Sequence, residues 1–228
     1  MGTKRSANIL VSPLDWGLGH TTRCVPVIAH LLGLEHRVFF AGNTWQRDYI
    51  SRTFPGIDTL HLEGYNVHYT KHGGAFMLNL LGQFPRLLKT IRSEHEWLKQ
   101  AVIEHRIDGI ISDNRYGLHH ATLPSVIMTH QVMAQSGMGD GVDNMLSGIH
   151  YKRLQQFNKC WIIDVPGNPN LSGKLGHPQK LPRNAQFLGL LSQMKPAATS
   201  EEYVLILLSG PEPQRTILSD VLWQQAVQ

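Results

Sequence analysis

Ile9-Leu10-Val11-Ser12-Pro13-Leu14-Asp15-Trp16-Gly17-Leu18-Gly19-His20-Thr21-Thr22-Arg23 is the stretch that decides the fold. Its first residues are apolar and partly β-branched, as in a buried strand, and the run stops at Ser12-Pro13. A loop with two glycines follows, and a helical pattern opens at Thr21 or Thr22. Strand, glycine loop and helix start together build a ligand corner in an α/β protein. The strand ends at the carboxyl edge of the sheet, and the helix offers unpaired N–H groups and a positive dipole end. His20 stands at that junction.

The alternation continues outward. Val25, Ile28, Ala29 and Leu32 make an apolar face at helical spacing, with Gly33 as its end. His36 to Ala41 reads as a second strand. Gly42-Asn43-Thr44 turns into a helix carrying Trp45, Tyr49 and Ile50, and Asp58 to Leu62 reads as a third strand. Successive βα units imply right-handed crossovers and a parallel sheet. Gly64 to Gly74 is a polar-aromatic loop, followed by a long helix from Ala75 to about His105, bent near Pro85 and markedly apolar from Phe76 to Leu88. Further strands are expected at Asp108–Ser112, Ser125–Thr129, Cys160–Asp164 and Phe187–Gly189, with a helix over Asn144–Phe157 and a Pro/Gly/Asn-rich excursion over Val165–Leu181. After a linker, Val204–Leu208 reads as a strand, Ser209–Pro213 as a turn and Gln214–Gln225 as a helix. A lone βα hairpin cannot bury both its faces, so it is expected to open a second domain. The division is then residues 1–190, a linker over 191–202, and 203–228.

Composition narrows the function classes. At 42% hydrophobic and 17% charged residues over 228 positions, the chain can bury a core. A net charge of +4 suits acidic small ligands or a membrane surface, and no Lys/Arg tract argues for nucleic acid. The 13 histidines are scattered without zinc-like spacing, so no metal is expected. Cys24 and Cys160 form no CxxC pair, which fits a reduced, cytoplasmic setting. The opening Met1-Gly2-Thr3-Lys4-Arg5-Ser6 has no apolar h-region, so no signal peptide is expected. Lys71, Arg86, Lys89 and Arg92 flank the apolar helix half, an arrangement compatible with peripheral contact at the inner membrane face.

Chemistry is expected beyond the carboxyl ends of the strands. There stand Asp15, Trp16, Gly17, Gly19 and His20; then Asn43; then Asp113, Asn114 and Arg115; then His130 and Gln131. A histidine beside a carboxylate can act as a general base, and His20 could pair with Asp113 or with Asp15. The bland alternatives are that His20 merely caps its helix and that Asp113 N-caps a short helix containing His119-His120. Gly17-Leu18-Gly19 lacks the third glycine of a dinucleotide fingerprint, and no acid ends the second strand to hold a ribose, so NAD is not expected.

Asp15-Trp16-Gly17-Leu18-Gly19-His20, Ile111-Ser112-Asp113-Asn114-Arg115-Tyr116-Gly117 and Leu208-Ser209-Gly210-Pro211-Glu212-Pro213-Gln214-Arg215 together resemble a bacterial glycosyltransferase family of the GT-B fold. The chain looks similar to the N-acetylglucosaminyltransferase of peptidoglycan synthesis (MurG-like). The resemblance implies an α/β Rossmann-like parallel sheet for the acceptor domain, followed by the first strand and helix of a nucleotide-sugar-binding domain. It implies transfer of a sugar from a nucleotide-sugar, such as a UDP-sugar, to a hydroxyl acceptor. The reaction would be inverting and metal-independent and need no cofactor, and the acceptor would be a lipid-linked one in cell-envelope glycan synthesis. His20 is carried over as the base with Asp113 as partner. Asp15, Trp16, Gly17, Gly19, Asn43, Asn114, Arg115, His130 and Gln131 would then be expected to face the acceptor, and Gly210 and Arg215 the donor diphosphate. The loop ends Gly-Leu-Gly-His here rather than Gly-Gly-His, so the acceptor itself does not transfer. The chain as given stops early in the donor domain and is expected to bind UDP-sugars weakly and to be inactive alone. A GT-B-fold nucleotide-sugar epimerase and a non-catalytic partner module are the competing readings.

Overall fold

The computed structural model describes residues 6–65, 76–135, 139–194, 202, 205–208 and 214–226, with the backbone alone for 76–84, 140 and 214. β1 (Asn8–Pro13) lies inside the sheet and is covered on both faces. Its Val11 packs with Cys24, Val25 and Ile28 of α1 (Leu18–Gly33), while Leu10 packs with Leu98 of α3 (Phe76–His105). A strand covered on both faces must be apolar throughout, which is why this run shows no alternation.

From β1 the chain builds outward through β2 (Arg37–Gly42), α2 (Thr44–Thr53) and β3 (Asp58–His61). α3 then returns it to the other side of β1, where β4 (Gly109–Asp113), β5 (Ser125–Thr129), β6 (Lys159–Ile162) and β7 (Ala185–Phe187) follow, with α4 (Asp140–Leu154) between β5 and β6. The order is β3-β2-β1-β4-β5-β6-β7, and every pairing is parallel. The direction of winding reverses between β1 and β4, which places the crevice of the sheet beyond those two strands. Their register pairs Ser12 with Ser112 and Pro13 with Asp113, so the loops after β1 and β4 leave the sheet side by side.

Several expectations shift. α1 begins at Leu18, not Thr21, because Gly17 turns the chain at φ 79°, a conformation glycine adopts without strain. His20 is thereby inside the first turn of the helix rather than before it. Pro26 lies within α1 and has no N–H for the Thr22 carbonyl; the side-chain amide of Gln193 donates to that oxygen at 2.9 Å instead. The short helix expected around His119-His120 does not form, since residues 114–124 make turns and Asp113 ends β4. Leu205–Leu208 carry no strand pairing. Val204, the Ser209–Pro213 turn, most of the Gly64–Gly74 loop and the side chains of Phe76 to Phe84 lie outside the described residues.

Internal contacts divide the chain into residues 1–193, which hold the sheet, and 194–228. In the second unit α5 (Gln214–Ala226) leaves Ile217, Val221 and Trp223 exposed. Among the described residues no helix is long and apolar enough to cross a membrane.

Candidate functional site

The crevice is built on a braced loop. Asn43 caps α2 by accepting from the Gln46 N–H at 3.1 Å, and the Gln46 side chain accepts in return from the Asn43 N–H. The same buried Gln46 amide donates to the Leu14 carbonyl at 3.1 Å and to Thr21 Oγ1 at 3.0 Å. One side chain thus ties the turn after β2 to both ends of the loop that carries His20. Asp15 fixes the other flank: its carboxylate accepts from the Tyr65 N–H at 3.0 Å.

Four side chains from three strand ends meet beside this loop. Asp113, the last residue of β4, is fully buried. His20 Nδ1 lies 3.0 Å from Asp113 Oδ2. Arg23, one turn along α1 from His20, donates from Nε to Oδ2 at 2.7 Å and from Nη2 to Oδ1. Its Nη1 donates to Nδ1 of His130, just past β5, at 3.0 Å. His20 and Arg23 keep only 14% and 15% of their side-chain surface exposed, so their pairing with Asp113 is screened far less than a surface pair. Burial, then Arg23, then His20, hold His130 below the ordinary histidine pKa, against the opposing pull of Asp113. His130 is therefore neutral near pH 7. The His20–Asp113 pair can accept a proton at the remaining ring nitrogen and stabilise the resulting imidazolium.

Of the two partners open to His20, the structure selects Asp113; Asp15 is spent on the Tyr65 backbone. His20, Asp113 and His130 come together, with Gly17 and Gly19 exposed in the loop before them. Arg115 does not face the crevice, contrary to the acceptor-side role expected of it. It is fully buried and donates to the Pro13 carbonyl at 2.7 Å, the Glu63 carbonyl at 2.9 Å and Glu94 Oε1 at 2.8 Å. Asn114 is buried in the left-handed region at φ 57° and donates its N–H to the Met128 carbonyl. Gln131 is exposed, and its backbone closes a turn with Thr129. Asn43 has its side-chain oxygen committed to the α2 cap. Trp16 is half-buried in the loop and Arg215 exposed on α5, whereas Gly210 lies outside the described residues. Among the described residues no three His, Cys, Asp or Glu side chains are placed to hold a metal ion.

Sequence reading missed Arg23. Its spacing of three from His20 on one helix was the available signal. It also missed Asp164, which accepts from the N–H groups of Val165, Leu171 and Ser172 and organises the loop after β6.

No protein-family model and no curated protein matches the chain. Solved structures do. The glycotransferase of kitacinnamycin superposes with a TM-score of 0.57 at 14% identity, covering 88% of this chain and 55% of its own. A UDP-glucosyltransferase from Polygonum tinctorium gives 0.49 at 15% identity, over 88% of this chain and 56% of its own. Acinetobacter baumannii MurG gives 0.44 at 10% identity, over 83% and 46%. The first of these shows a shared fold, and this chain spans about half the length of the structures it matches.

Proposed function

We propose that this chain is the acceptor-binding half of an inverting glycosyltransferase that uses a nucleotide-sugar, a UDP-sugar in our reading. The observation that carries this is the His20–Asp113 pair at the point where the sheet reverses its winding, in a chain that shares its fold with a glycosyltransferase. The acceptor hydroxyl gives its proton to His20 Nε2. Its oxygen attacks the anomeric carbon, and the bond from that carbon to the diphosphate oxygen breaks, the leaving diphosphate keeping the electron pair. Asp113 holds Nδ1–H and stabilises the imidazolium as it forms. Helix N-termini and basic groups supply the counter-charge for the diphosphate, so the reaction runs without a metal ion. Residues 203–228, including Gly210 and Arg215, open the donor-binding unit. The exposed Arg86, Lys89 and Arg92 of α3 support a lipid-linked acceptor taken at the inner face of the membrane, in cell-envelope synthesis.

His20→Ala tests the base. In a protein carrying this acceptor half with a complete donor domain, turnover with UDP-sugar and acceptor is expected to fall by about 10²–10⁴. A loss of only a few-fold removes His20 from that role.

A further inference from the structure

The cluster holds a second piece of chemistry, in Arg23. Arginine only donates hydrogen bonds. Its Nη1 lies 3.0 Å from His130 Nδ1, so that nitrogen must present a lone pair. In the neutral ring the single proton then sits on Nε2.

His20 is in the opposite position. Its Nδ1 lies 3.0 Å from Asp113 Oδ2 and 2.5 Å from Arg23 Nη2. One ring nitrogen cannot donate to the carboxylate and accept from the guanidinium at once. Arg23 already engages both Asp113 oxygens, Oδ2 through Nε and Oδ1 through Nη2. The carboxylate is the charged acceptor in a buried place, so the bond that forms at His20 is Nδ1–H to Oδ2. Nε2 of His20 is left as the lone pair.

We propose that Arg23 is a positioning residue that fixes His130 as Nε2–H, while the Asp113 carboxylate it holds fixes His20 as Nδ1–H, so that the two histidines stand in opposite tautomers. One ring then offers a proton acceptor and the other a hydrogen-bond donor. Such a pair takes a substrate by two oxygens: a hydroxyl that gives up its proton and a second oxygen that receives a hydrogen bond. The fork geometry is essential, because three nitrogens of one planar group reach Asp113 and His130 together, and a lysine ammonium at the end of a flexible stem cannot. The catalytic use of these tautomers rests on the reading of His20 as the base; the tautomers themselves do not.

Long-range ¹H–¹⁵N spectra of the full chain labelled with ¹⁵N-histidine read each proton position directly, with His20→Asn and His130→Asn identifying the two rings. At neutral pH the expected result is Nδ1–H for His20 and Nε2–H for His130. In Arg23→Lys, His130 is expected to share its proton between both nitrogens while His20 keeps Nδ1–H. In Arg23→Met, His130 loses its single tautomer while Asp113 keeps His20 as Nδ1–H. Should that variant fail to fold, the wild type and Arg23→Lys decide. Nδ1–H on His130, Nε2–H on His20, or an unchanged His130 pattern in Arg23→Lys overturns the proposal. Loss of the base reading by the His20→Ala assay leaves these spectra as they are, so the two failures are distinct.

Discussion

Arg115→Met separates a structural arginine from a substrate-binding one. Arg115 and Glu94 are fully buried, with Nη1 and Oε1 2.8 Å apart, and the guanidinium also serves the carbonyls of Pro13 and Glu63. Removing one partner of such a pair leaves a buried uncompensated charge, at a cost of about 3–5 kcal/mol. Glu94 keeps the Tyr65 hydroxyl at 2.7 Å and the Gly117 N–H at 3.1 Å, so the lower end, about 3 kcal/mol, is expected. At roughly 2–4 °C per kcal/mol for a chain of this size, the thermal midpoint falls by about 6–12 °C. Acid provides a second signature. Burial holds the Glu94 carboxyl above its ordinary pKa, and Arg115 is the strongest opposing influence. Without Arg115 the folded-state pKa rises further. An acid with a raised pKa in the folded state binds more protons folded than unfolded, so its contribution is full below the unfolded pKa and is lost as pH rises towards the folded one. The gap between variant and wild type must therefore narrow as pH falls through the carboxylate range. Circular-dichroism melts of both proteins across that range measure it, and Glu94→Gln in the same chain is expected to recover part of the loss. A cost under about 1 kcal/mol at neutral pH, or a gap that does not close in acid, would refute the buried-pair account.

Asp164 predicts an acid-sensitive loop. Burial pushes its carboxyl pKa up, but hydrogen bonds from Ser172, Val165 and Leu171 outweigh that and hold it well below the usual carboxylate range. Its contribution is present above the ordinary pKa and is lost as pH falls from there towards the depressed folded one, so hydrogen exchange at the Leu171 and Ser172 amides should lose its protection below about pH 4. Asp164→Asn should bring that exchange to neutral pH, at a local cost of about 1.5–3 kcal/mol; unchanged protection would count against the carboxylate as the organiser. Gly117→Ala is expected to lose about 1–3 kcal/mol in urea unfolding, because its Cβ would lie 2.4 Å from the Ile91 carbonyl oxygen and 2.5 Å from Glu94 Cβ. A neutral substitution there would mean that α3 can move away from the turn after β4.

What could be read from the chain follows from which signals are local. Ile9 to Val11 and Val38 to Ala41 are apolar because both faces of an inner parallel strand are covered, and that pattern is written in adjacent residues. The same holds for Asn43-Thr44 opening α2 and for Ser125–Thr129 as a strand. Parallel order and a ligand corner at Gly17-Leu18-Gly19-His20 follow from βα alternation. The roles of charged residues were legible only where position along a strand decides them. Asp113 stands at a strand end beside the β1 loop and meets His20, but Arg115, two residues on, turns back beneath the loop to Glu94. Nothing local distinguishes the two, since the partner that buries Arg115 is 21 residues away on α3. Arg23 was hidden for the same reason: its meaning comes from Asp113 and His130, brought to it by the pairing of β4 with β1 and of β5 with β4. The sequence by itself determined the strands, their alternation with helices and the residue types at the crevice, because burial and helix periodicity act between near neighbours. Only the tertiary structure decided which charges meet, because a buried ion pair is chosen by strands adjacent in space and distant in the chain.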